Sequence, residues 1–146
     1  MLAVPPARSA GAIALAPEEH FLATCLASGE AGHKHLSDIS PDVFSSQLMR
    51  QACEHLVASF HDPLAGLEDR EPALGQLVAA VVARADGMDP ASEPNLRLSF
   101  LQLEQRRIDR ELRRASEAAD RPRQDELSVA RQDVRREMDA VMGQMA

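Results

Sequence analysis

Tryptophan and tyrosine are absent from this 146-residue chain, and four phenylalanines supply all of its 3% aromatic content. Sandwiches and barrels draw on aromatic and β-branched residues, so a core without them points to helices packed through Leu, Val, Ala and Met. Cysteine is scarce as well. Cys25 and Cys53 are too few for a disulfide framework, and each lies in an apolar helical pattern. They are expected to be buried thiols of a reducing, cytoplasmic protein. The 7 glycines form no phosphate-cradling loop. No apolar run approaches the roughly 20 residues of a membrane span. Positive charge is in deficit: 16 Lys/Arg face 23 Asp/Glu, a net charge of −7. That balance opposes general nucleic-acid binding, which needs cations to neutralise phosphates.

The hydrophobic content of 45% is enough for a core, and its periodicity is helical throughout. The first 16 residues are Ala-rich and almost uncharged. Arg8 alone supplies positive charge, Gly11 interrupts the short apolar run, and Pro5-Pro6 precede it. A disordered linker remnant is expected over 1–16 rather than a targeting signal. Pro17 is expected to open the first helix, with Glu18 and Glu19 favouring its positive end and Phe21, Leu22, Cys25 and Leu26 forming a buried stripe. A short helix follows over Glu30 to Leu36. Ser45 or Ser46 caps a third through Phe60, and Asp69 caps a fourth over Arg70 to Ala85. Leu64 and Leu67 in the loop between those two are expected to pack down. The helical-bundle subdomain is thus read as 17–91.

From Ser92 the pattern changes. Ser92 is a good N-cap with Pro94 in the first turn, and apolar residues recur at Leu101, Ile108, Leu112 and Ala115. Pro122 ends that helix and starts another, which carries Leu127, Val134 and Val141 at intervals of seven, with Ala130, Met138 and Met145 beside them. Two helices with narrow apolar seams and broad charged faces make a helical hairpin over 92–146. The fold class is all-α: a compact bundle followed by a long C-terminal hairpin. Charge is divided unevenly. Residues 1–103 hold 6 Lys/Arg and 13 Asp/Glu, whereas residues 104–146 hold 10 of each. The hairpin's acids and arginines alternate at helical spacing, as in Glu104/Arg107, Asp109/Arg113 and Asp133/Arg136, which supports an exposed helix by a few tenths of a kcal/mol per pair.

No catalytic or cofactor site is expected. His33 and His35 point about 200° apart on a helix and cannot share a metal; Cys53/His55 and His20/Cys25 fail in the same way. Asp86 and Asp89 flank a turn and fall far short of a six-oxygen cage. Neither a metal nor an enzyme is called for by these motifs.

Several stretches together resemble one family. They are Pro17-Glu18-Glu19-His20-Phe21-Leu22-Ala23-Thr24-Cys25-Leu26, Phe44-Ser45-Ser46-Gln47-Leu48-Met49-Arg50, Asp62-Pro63-Leu64-Ala65-Gly66-Leu67, and Leu101-Gln102-Leu103-Glu104 with Arg107-Ile108-Asp109-Arg110. In order and spacing they resemble the C-terminal helicase-binding domain of bacterial DnaG-type primases, from about Pro17 onward. The resemblance implies a bundle linked to stimulating the replicative helicase, DnaB, and a hairpin that docks on that helicase's N-terminal domain, coupling primer synthesis to fork unwinding. The family's zinc-ribbon cysteines and Toprim acidic cluster are missing, so the chain would correspond to the non-catalytic end alone. On this reading the partner-binding residues are Arg113, Arg114, Glu117, Arg121 and Arg123 near the hairpin tip, with Arg135, Met138, Met142 and Met145 on the last helix. Direct nucleic-acid or membrane contact is not expected. Two alternatives stand beside it: a helicase-side N-terminal helical module, and a hairpin that associates with its own copies, if only as a weak homodimer.

Overall fold

The computed structural model describes the backbone of residues 6–145 and the side chains of residues 17–145. The described residues are helical, without strands, and divide into two compact units, Met1–Ala91 and Ser92–Ala146.

The first unit holds α1 (Pro6–Ala27), α2 (Gly29–Asp38), α3 (Gln47–Ala58) and α4 (Pro72–Asp86), with short 3₁₀ turns at Pro41–Val43 and Leu67–Asp69. Residues 1–5 of the expected linker lie outside the described residues. From Pro6 the backbone is already helical, so Pro17 sits inside α1 rather than opening it. An alanine-rich run has high helix propensity, and a proline can be carried within a helix at the cost of one backbone hydrogen bond. Gly29 takes a left-handed conformation at φ 64° and turns the chain directly from α1 into α2.

α1 packs against α2 and α4, and α3 packs on α4. Phe21, Leu22 and Cys25 of α1 are buried with Leu36, Met49, Cys53, Leu56, Leu74, Val78 and Val81. Phe44 joins them, its ring 6.4 Å from that of Phe21. Gly32 is required where α2 crosses α1: a Cβ there would stand 1.8 Å from the carbonyl oxygen of Cys25. Both cysteines are free and buried. Burial pushes each thiol up to about 12, which keeps them protonated and inert as nucleophiles at neutral pH.

Polar groups fasten the helix ends. Ser46 caps α3, its hydroxyl accepting from the Met49 amide at 3.1 Å. Glu18 is buried rather than at a helix start, and its two carboxylate oxygens accept from the Ser45 amide at 3.1 and 3.0 Å. α4 begins at Pro72, two residues after the expected start. Glu71 is extended, as a residue before proline prefers, and Asp69 belongs to the preceding 3₁₀ turn instead of capping α4. The intervening loop is held by His55, whose Nε2 donates to the Pro63 carbonyl at 2.7 Å. Leu67 is half-buried there, but Leu64 remains 49% exposed, contrary to the expected packing. At the end of this unit the Ala91 amide donates to Ser28 Oγ at 2.9 Å.

The second unit is α5 (Glu93–Glu117) and α6 (Arg121–Met145), joined by a short turn and packed along each other. Ser92 caps α5, accepting from the Asn95 amide at 3.3 Å. Among the described residues, no helix is long and apolar enough to cross a membrane.

Candidate functional site

The hairpin is built from its seam outward. Leu101, Ile108 and Ala115 of α5 meet Leu127, Val134 and Val141 of α6 in one buried cluster, with Leu112, Ala130 and Met138 partly buried against it. Full burial of a side chain such as Ile108 contributes about 1.5–3 kcal/mol, whereas an exposed ion pair contributes about 0–1 kcal/mol. The seam therefore holds the two helices together, and the charges around it govern register and surface chemistry.

Those charges form a connected set. Glu111 hydrogen bonds to Arg107 on its own helix and to Arg123 on α6. Arg107 also donates to Glu104 at 2.8 Å. Partial burial works to raise the Glu111 carboxyl, but the hydrogen bonds and charges of Arg123 and Arg107 prevail and hold it below the ordinary carboxylate range. The Glu104 hydrogen bond leads in raising Arg107 above the ordinary arginine value, with its burial opposing. Arg97 reaches Glu137 across the hairpin, its Nε donating at 3.0 Å. The expected Glu104/Arg107 and Asp133/Arg136 pairs both form. Asp109, expected to pair along its helix with Arg113, instead reaches across to Arg131 at 3.4 Å.

The tip is a compact helix-to-helix reversal. The Asp120 amide donates to the Ala115 carbonyl at 2.8 Å and the Ala119 amide to the Ser116 carbonyl at 3.1 Å, the paired bonds of a Schellman ending. Ala119 takes the left-handed position that ending demands, at φ 55°. Asp120 directly precedes α6, its Oδ1 accepting from the Arg123 amide at 3.2 Å. A cavity of about 300 Å³ opens beside this turn, lined by Glu111, Arg114, Ala115, Ala118, Asp120 and Arg123.

The residues expected to meet a partner fall into two groups. Arg113, Arg114, Glu117 and Arg121 are exposed around the turn, and Arg135 is exposed on α6. Met142 and Met145 are 46% and 44% exposed. Arg123 and Met138 are more constrained: Arg123 is half-buried and tied to Glu111, and Met138 packs partly into the seam. Val129, 59% exposed, was not singled out from the sequence. It lies on the side of α6 away from the seam, so the seven-residue repeat does not report it. Helical spacing places Met138, Met142 and Met145 along one flank of α6, and the two outer methionines offer flexible apolar surface near its end.

In the first unit His33 is half-buried. Its ring stacks on Phe60 with centroids 4.5 Å apart, and its Nε2 meets the Val57 carbonyl at 3.0 Å. Glu30 and His61 stand beside it.

No family model, curated protein or solved structure matches this chain.

Proposed function

We propose that this chain is a non-catalytic protein-interaction module, the helicase-binding part of a bacterial primase. Its hairpin would dock on the N-terminal domain of the replicative helicase and couple primer synthesis to fork unwinding. The observation that carries an interaction role is the division of labour within the hairpin. One narrow seam is consumed by α5–α6 packing, while Arg113, Arg114 and Arg121 at the tip and Met142 and Met145 on α6 remain exposed. Exposed arginine and methionine together suit a protein surface that offers carboxylates and shallow apolar pockets. The choice of a helicase as the partner rests on the sequence resemblance to primase C-terminal domains.

Charge reversal tests the tip directly. The double substitution Arg113→Glu, Arg114→Glu alters exposed side chains, so far-UV circular dichroism should be unchanged. Affinity for the helicase domain should fall at least about fivefold, the equivalent of roughly 1 kcal/mol. Undiminished affinity would remove the tip from the interface.

A further inference from the structure

We propose that Glu30, His33 and His61 form a binding site for a divalent metal of the zinc class. Glu30 and His33 are one helical turn apart on α2, the i, i+3 spacing that puts two side chains on one face. His61 follows α3 and arrives beside them. One ligand atom from each residue lies within 4.8 Å of the other two. The His61 Nε2 is 3.3 Å from Glu30 Oε1. Zinc–ligand bonds of about 2.0–2.2 Å in tetrahedral geometry place neighbouring donors roughly 3.3 Å apart, so this pair already has the spacing of two ligands on one ion.

A second observation concerns His33. Its Nε2 lies 3.0 Å from the Val57 carbonyl oxygen, and a carbonyl can only accept. The proton is therefore on Nε2, and in the neutral ring Nδ1 carries the lone pair that a metal needs. A ligating histidine that gives its other N–H to a backbone carbonyl is the usual outer support of a metal centre, because it fixes both tautomer and ring plane. Stacking on Phe60 fixes the plane further, with 16° between the rings. The His61 ring meets His33 edge-on at 82°, with centroids 5.6 Å apart. His33 is thus the pre-set ligand, and Glu30 and His61, both largely exposed, are free to close on the ion.

The donor set selects the metal. Two imidazoles and one carboxylate suit Zn²⁺ and its neighbours Co²⁺ and Ni²⁺, while Mg²⁺ and Ca²⁺ favour oxygen alone. Three protein ligands leave a fourth position for water. A bound ion would clip α2 to the segment after α3 and stabilise the first unit through binding linkage. The sequence signal is Glu30-Ala31-Gly32-His33. Comparing His33 with His35 misses it, because the third ligand comes from beyond α3.

Zinc titration of the full chain by calorimetry, with Co²⁺ absorption as a geometric readout, tests the site. The expected result is saturable binding of one Zn²⁺ per chain, a raised melting temperature, and Co²⁺ bands of tetrahedral intensity that excess Mg²⁺ does not displace. His61→Ala and Glu30→Gln change exposed residues and should each weaken binding about tenfold or more without loss of helicity. His20→Ala, an exposed histidine outside the cluster, should bind as the parent does. Absence of saturable zinc binding would overturn the proposal, and so would binding that survives both His61→Ala and Glu30→Gln; either outcome would leave the Glu30–His61 approach as a plain surface contact.

Discussion

Gly32 and Glu111 show how much a single position can decide in this chain. At Gly32 the backbone of α1 occupies the space a side chain would need, and the Cys25 carbonyl carbon and Cα would stand 2.6 and 2.9 Å from an added Cβ. Backbone cannot rotate away as a side chain can, so Gly32→Ala must push α2 off α1. The expected cost is roughly 2 kcal/mol or more, seen as a fall of about 10 °C in the melting temperature of the first unit; an unchanged melting temperature would mean that α2 can shift away from α1 without loss. Glu111 acts through charge. Its folded carboxyl titrates below its unfolded value. Its contribution to stability is therefore complete above the unfolded value of about 4.3 and is lost as pH falls through the folded one. Acid titration monitored by circular dichroism should show the hairpin of Glu111→Gln losing less stability across that acidic window than the parent. Neither residue announces itself in sequence. Gly32 reads as a mere helix glycine, and Glu111 reads as a partner of neighbours on its own helix, because the contribution of Arg123 comes from across the turn.

At the scale of elements, local chemistry carried most of the information. Ser46 and Ser92 cap the helices expected of them, and the heptad residues Leu127, Val134 and Val141 are the buried ones of α6. Local rules failed where two of them competed. Asp69 is a good capping residue, but Pro72 forces extended backbone before it and moves the start of α4. Pro17 looks like a helix start, but the alanine-rich backbone before it is helical as well. The hairpin turn holds a similar conflict. A Schellman ending favours glycine at the left-handed position, and this chain has Ala119 there, at φ 55°. Ala119→Gly should remove that strain and stabilise the hairpin by about 0.5–1 kcal/mol, read as a higher midpoint in urea unfolding of the α5–α6 unit. A lower midpoint would show that the flexibility glycine adds to the unfolded chain outweighs the strain it relieves.

For the whole molecule, hydrophobic periodicity made the all-α class and the α5–α6 hairpin legible, because both follow from patterns within one helix at a time. The surroundings of individual polar groups were not legible. His33 and Glu18 owe their positions to a carbonyl and an amide that lie far away in sequence, and His55 to a carbonyl in the loop beyond its own helix. The proposed partner surface is harder still. An exposed arginine or methionine has the same sequence pattern whether it meets water or another protein. The proposed docking of the hairpin on a replicative helicase is open to a direct test. Titration calorimetry tests it most directly, using the whole chain and a shortened chain ending at Asp89 against the N-terminal domain of the replicative helicase from the same source. Saturable binding by the whole chain, lost in the shortened one, is the predicted result. Binding retained without the hairpin, or no binding when both proteins are folded, would contradict it.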